Sequence, residues 1–145
     1  MINVYLKILQ FLEKIFMPSL VLLMRFWIAR IFWYSGLIKI SDWQSTIYLF
    51  QRIYKVPIIP PEIAAYFATT IELTCPIFLI LGIATRFATI PMLVMTAVIQ
   101  FTYLDLVEHS YWAMLLLTML FYGAGSLSLD YLIKRKWGSK SLLIQ

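Results

Sequence analysis

The chain has 145 residues, enough for one domain, and carries a formal net charge of +5 with a single cysteine. Its hydrophobic share of 62% and charged share of 13% depart from the roughly 45–50% and 25% of soluble domains. A soluble domain this small could not bury that much apolar surface, whereas lipid covers it. The basic residues flank apolar runs and form no dense soluble patch, so phosphate headgroups rather than nucleic acid are the expected counterions. Cys75 stands alone, which excludes an internal disulfide, a dithiol relay and a cysteine-built metal site.

Taken in chain order, residues 2–16 place Asn3, Lys7, Gln10 and Lys14 on one helical face and Leu6, Leu9, Leu12, Ile15 and Phe16 on the other. That spacing predicts an amphipathic helix at the membrane surface. No small-residue cleavage site follows the apolar run, so it is not read as a cleaved signal. The first span is expected over about residues 18–38, opening at Pro18 and interrupted by Arg25 and Arg30. Residues 39–61 form the longest connection. Asp42 can cap a short helix carrying Trp43, Ile47, Phe50, Ile53 and Tyr54, which Pro57, Pro60 and Pro61 terminate. An interfacial or re-entrant segment over the mouth of the bundle follows from this pattern.

The second span is expected over about 62–83, with Glu72, Cys75 and Pro76 inside it. A very short turn, with Thr85 as N-cap, leads to a third span over about 87–104, and so short a link makes the two an antiparallel hairpin. After the polar stretch of Asp105, Glu108, His109 and Ser110, a fourth span is expected over about 111–129. Gly123 and Gly125 let the chain turn to the surface, with Ser126 and Ser128 as caps and a basic tail over 131–145. The whole is an all-α integral membrane four-helix bundle in one domain. Lys7, Lys14, Arg86, Lys134, Arg135, Lys136 and Lys140 collect on one side, which places both termini in the cytoplasm.

An ionised side chain at mid-membrane costs at least about 2.5–3.5 kcal/mol, so Glu72 should face the interior and have a partner. At 1.5 Å per residue, Arg30 lies roughly 18 Å from the cytoplasmic end of its span, at the depth of Glu72. Arg25 lies about one and a half turns lower, within reach of a long side chain. The two arginines point about 140° apart, so one is expected to pair with Glu72 and the other to find a different acceptor or the headgroups. Pro76 displaces the Glu72 carbonyl and leaves it as an acceptor. Two readings of this site stand side by side: an ion pair that fixes helix register, and a proton-handling or quinone-head site. Asp105, Glu108 and His109 read as solvated rather than metal-binding, and no metal site is expected. The tryptophans and tyrosines read as belt and packing residues.

Several pieces together resemble the DoxX family. Arg25 with Ser35-Gly36-Leu37 and Lys39 resembles its first-helix signature. Ala64-Ala65, Glu72, Leu81-Gly82 and Thr85-Arg86 resemble its second-helix region. Gly123-x-Gly125-x-x-Ser128-Leu129-Asp130 resembles its last. Arg25, Gly36, Lys39, Glu72, Arg86 and Asp130 carry the pattern. Arg30 lies outside it, and Cys75-Pro76 stands where the family tends to have glycine.

The resemblance implies a multi-pass protein of the bacterial inner membrane. Some relatives are membrane subunits of a thiosulfate:quinone oxidoreductase, and others associate with redox or sulfur-handling enzymes. A quinone-binding subunit is therefore the leading expectation. No haem, flavin or iron–sulfur motif is recognisable, so electrons would come from a redox-enzyme partner. A non-catalytic anchor or assembly factor and a small-solute or proton pathway are the alternatives, the last requiring a homo-oligomer. In physical terms, Gly36 permits close helix approach, Lys39 is expected to snorkel outward, and Arg86 to bind phosphate or the Asp130 region.

Overall fold

The computed structural model describes residues 2–54, 59–102 and 106–141. Pro57 and Asp105 therefore lie outside the described residues, as do the side chains of Asn3 and Lys140. Every regular element among the described residues is helical, the all-α arrangement expected.

Helix α1 (Ile2–Phe11) runs through a π-helical turn at Leu12–Phe16 into α2 (Met17–Ser41) without a break. Pro18 has no N–H to return to the Lys14 carbonyl, and the wider turn just before it absorbs the loss, with the Met17 amide reaching back to the Leu12 carbonyl. The amphipathic stretch is thus continuous with the first span rather than hinged at Pro18. Its described side chains from Gln10 to Met17 are exposed. At 1.5 Å per residue the continuous rod is about 60 Å long, twice the roughly 30 Å of a hydrocarbon core.

Asp42 ends α2 and opens α3 (Trp43–Leu49), accepting from the Ser45 amide at 3.0 Å and the Ser45 hydroxyl at 2.6 Å. The Thr46 hydroxyl is shared between the Lys39 and Asp42 carbonyls, both at 3.0 Å, which fastens α3 against the end of α2. A second π-helical turn, Phe50–Tyr54, completes this segment. It lies over α4 (Pro61–Leu81) and α5 (Thr85–Thr102). Phe50 joins Ala64, Ala65 and Ala68 in a small apolar cluster flanked by Trp43, Tyr54 and Met95. The covering segment expected from the sequence is present.

Helix α4 packs on α2, α5 on α4, α6 (Val107–Tyr122) on α5, and α6 closes back on α2. Ile28, Ala29, Phe32, Cys75, Leu79, Ala88, Met92, Leu116 and Met119 form the central core. The α2 rod, α4 and α5 are each long and apolar enough to cross a membrane. Large side chains such as Leu23, Phe67, Phe87, Phe101 and Phe121 point outward, as lipid-facing residues do.

Two boundaries differ from expectation. The fourth helix spans 107–122, not 111–129, because Gly123 takes φ 90° and leaves helical space. Residues 123–128 then form a loop before α7 (Leu129–Ser141), where the Ser128 hydroxyl accepts from the Tyr131 amide at 3.2 Å as the expected cap. Thr85 is not a cap: its hydroxyl is buried without a partner, and the carboxylate of Asp130 takes that place.

Close approach of α2 and α4 depends on Gly36. A Cβ there would lie 2.8 Å from Leu73 Cδ2 and 3.1 Å from Glu72 Cβ. Gly36→Val should therefore wedge the two helices apart and cost about 1–3 kcal/mol, as overpacking does, read as a lowered melting temperature in detergent. The Ser45 bonds hold the Asp42 carboxyl below the usual carboxylate range. Because its folded pKa is depressed, the cap is intact above the unfolded value of about 3.9 and is lost as pH falls through the lower folded value. The Ser45 amide resonance should accordingly hold its position until the pH is below that of ordinary aspartates, and Asp42→Ala should abolish that titration.

Candidate functional site

The polar residues gather at the two ends of the bundle, and the two groups differ in how fully their hydrogen-bonding capacity is used. At the end that carries the basic tail, Arg25 is 1% exposed. Its Nε donates to the Leu79 carbonyl at 2.6 Å and its Nη2 to the Ile80 carbonyl at 2.6 Å. Its Nη1 donates to the carbonyls of Ala124 at 3.1 Å and Leu127 at 2.7 Å. The final turn of α4 exposes carbonyls with no helical partner. Phe78 is served by the amides of Gly82 and Ile83, at 2.8 and 3.1 Å, and Arg25 serves the next two.

Gly82 makes this possible on two counts. Its φ of 68° ends the helix in the left-handed region, and a Cβ there would sit 2.7 Å from Arg25 Nη2 and 2.6 Å from Ser128 Cβ. The Gly82 carbonyl accepts from the Asp130 amide at 2.9 Å. Asp130 returns its carboxylate to the amides of Ala84 at 3.0 Å and Thr85 at 3.4 Å, an anion at the start of α5 where the helix dipole favours one. Arg86 donates to the Phe121 carbonyl at 3.1 Å near the end of α6, not to Asp130. Arg25, Arg86 and Asp130 thus tie α2, the α4–α5 hairpin, α6 and α7 into one clasp.

At the other end stands an ion pair that the depth estimate misassigned. Neither arginine meets Glu72. Lys39 does, with Nζ 2.6 Å from Oε1. Ser35 bridges the pair, accepting from Lys39 Nζ at 2.9 Å and donating to the same Glu72 oxygen at 3.0 Å. The error lay in register. Arg25, not Pro18, is level with the end of α4, which places Gly36 rather than Arg30 beside Glu72. Lys39 therefore turns inward, with 8% exposure, instead of snorkelling outward. Arg30 is exposed, on a different face of α2.

Glu72 is 1% exposed, and its second oxygen, Oε2, is buried with no hydrogen-bond partner. A cavity of about 200 Å³ adjoins it, lined by Lys39, Phe50, Tyr54, Ala64, Ala68 and Met95 among others. Its walls come from α2, α4, α5 and the covering π-turn. Phe67 and Val94, at 64% and 58% exposure, also line it and mark where it opens between α4 and α5. Pro76 is buried one turn beyond Glu72, and no described side chain donates to the carbonyl it frees. Cys75 is buried in the core, as expected of a lone small residue.

Beyond these groups, His109 is buried, with Nδ1 2.9 Å from Gln100 Oε1 and its ring 4.9 Å from that of Trp112. Glu108 beside it is exposed. Among the described residues no three histidine, cysteine or acidic side chains are placed to hold a metal. The sequence reading missed the Ser35 bridge, the Gln100–His109 pair and the Arg25 carbonyl cradle. A polar residue four positions before a lysine on a spanning helix was the available signal for the first.

A closed ring of apolar helices with a buried ion pair and an arginine clasp defines a helical integral membrane protein. The DoxX family's sequence profile matches residues 20–105, more than half of the chain, and the protein belongs to that family. An uncharacterized protein of Haemophilus influenzae is 32% identical over 136 residues, covering 84% of this chain and 88% of that protein. No solved structure gives a significant match.

Replacing Arg25 by Leu would strand the carbonyls of Ile80, Ala124 and Leu127 and leave Leu79 with only the Gly82 amide at 3.2 Å. Hydrogen bonds to charged groups are worth roughly 1.5–3 kcal/mol each, so Arg25→Leu should lower stability by at least about 3 kcal/mol. Arg25→Lys, a point donor without the guanidinium fork, should recover only part of it. Hydrogen exchange of residues 123–128 rising in both variants, and more in Leu than in Lys, is the expected readout.

Proposed function

We propose that this protein is the membrane subunit of a quinone-linked oxidoreductase complex of the bacterial inner membrane, with both termini cytoplasmic. The observation that carries the reading is the unpartnered Oε2 of Glu72 beside an apolar cavity. At about 200 Å³ the cavity falls below the roughly 300–1,000 Å³ of larger ligand sites. A single-ring head fits that size, and a flavin, haem or dinucleotide does not. The opening beside Phe67 and Val94 faces the bilayer, as an isoprenoid tail requires.

The residues present a matched donor and acceptor. Lys39 Nζ can donate to a carbonyl oxygen, and Glu72 Oε2 can accept from a hydroxyl. Lys39 holds Glu72 through Oε1 alone and so leaves Oε2 available. Ser35 fixes the geometry of the pair. The chemistry a quinone supplies is coupled uptake of electrons and protons, with the electrons coming from a partner protein. In this reading Glu72 carries the proton and the covering segment keeps bulk water out. The excess of basic residues beside α7 and at Arg86 supports the orientation.

Mass spectrometry of small molecules co-purifying with the wild type, Glu72→Gln and Ala68→Leu tests the reading. Ala68 lines the cavity one helical turn before Glu72, so its enlargement fills the space while keeping the Lys39, Ser35 and Glu72 side chains. A stoichiometric isoprenoid quinone in the wild type, reduced about tenfold or more in both variants, is expected. Bulk phospholipid alone in all three would sink the proposal and favour a non-catalytic anchor for partner proteins.

A further inference from the structure

Arg30 is exposed on α2 and has no hydrogen bond or ion pair to any described residue. It opens onto a groove of about 460 Å³ between α2 and α6, lined by Trp27, Ile31, Tyr34, Ser35, Ile38 and Trp112 as well as Arg30 itself. The α2 members recur every three or four residues, so the groove runs along the helix axis. From Trp27 to Ile38 it extends about 16 Å at 1.5 Å per residue, the reach of much of an acyl chain. It lies on the α6 side of α2 and meets the ion pair beside the other cavity only through Ser35, while Arg30 lies more than one turn from that contact.

A cation on a lipid-facing helix surface is costly unless it meets an anion. Arg30 stands five positions beyond Arg25, about 7.5 Å along the helix from the residue that anchors the clasp. An arginine side chain leans toward the start of its helix, so its guanidinium points to the leaflet at the basic end. No acidic side chain lines the groove. We infer that this groove binds one anionic phospholipid, its phosphate on Arg30 and an acyl chain along Ile31, Tyr34 and Ile38 against Trp112. A volume of about 460 Å³ spread over about 16 Å of helix suits an acyl chain and is too slender for a helix of about 10 Å diameter. The planar guanidinium suits phosphate oxygens in pairs, and the exposed indole of Trp27 sits where a glycerol backbone would lie.

The test uses the full-length protein in nanodiscs of equal phosphatidylglycerol and phosphatidylcholine, with retained lipid counted by native mass spectrometry. Wild type should keep one phosphatidylglycerol through release from the disc. Arg30→Leu should reduce its preference over phosphatidylcholine by about tenfold, the scale of one charge-assisted contact. Arg30→Lys should lose less, and Arg135→Gln on the basic tail should behave as wild type. Equal retention in wild type and Arg30→Leu would overturn the site. An equal loss in Arg135→Gln would assign the lipid to the basic tail instead. Displacement by soluble glycerol phosphate at matched concentration would show a phosphate site without an acyl groove. If Arg30→Leu separates a protein assembly while leaving lipid retention unchanged, the groove belongs to a partner helix. The quinone assay reads a different cavity, so either proposal can fail alone.

Discussion

Backbone groups that meet lipid must be satisfied by the protein itself, and Arg25 is the residue through which this bundle meets that demand. Helix ends are where the demand is greatest, because the last turn leaves carbonyls without amides. Here α4 ends inside the clasp, and the loop after α6 folds against it. One guanidinium supplies donors to both. Gly82 has to be glycine because the same small volume holds Arg25 and Ser128, and Asp130 has to be acidic because the neighbouring α5 begins with free amides. The register of α2 against α4 follows from this fastening, and with it the identity of the partner of Glu72.

The opposite end obeys the same rule with a different outcome. Lys39, Ser35 and Glu72 converge where Gly36 lets α2 and α4 touch, so the ion pair is set by backbone proximity and not by long side chains reaching across. The covering segment is held by short local bonds: Asp42 to Ser45, Thr46 to the end of α2, and Gln51 Nε2 to Glu62 Oε1 at 3.0 Å. A lid built this way can cover an apolar space without large buried area of its own. The aromatic contacts around it, Trp43 with Tyr66 and Phe50 with Tyr54 at centroid distances of 4.5 and 4.9 Å, suit the membrane interface.

Much of this was legible in the residues. Length and hydropathy placed α2, α4 and α5 within a few positions, Asp42 declared its cap, and Gly36 its close contact. The misreadings came from quantities that a single sequence does not carry. Depth counted from Pro18 takes the helix to start where the membrane does, but Pro18 lies in the middle of a longer rod. The end of α6 falls at Tyr122 and not at residue 129 because Gly123 and Gly125, both at positive φ, turn the chain back toward Arg25. Thr85 looked like a cap because its type and position fit, and the competing carboxylate of Asp130 is 45 residues away in sequence.

The two ends also differ in how their charged groups are partnered. An ion pair that only fixes register would be expected to have its remaining lone pairs satisfied, since a buried unpaired oxygen costs free energy and adds no specificity. Arg25 comes nearer that standard, with four of its five N–H donors used, although the Thr85 hydroxyl at the same end also lacks a partner. Glu72 does not: Oε1 takes two donors while Oε2, on the same carboxylate and as deeply buried, takes none. Both donors, Ser35 and Lys39, stand on one side of the carboxylate. That free acceptor beside an apolar cavity is the feature on which the proposed quinone site rests.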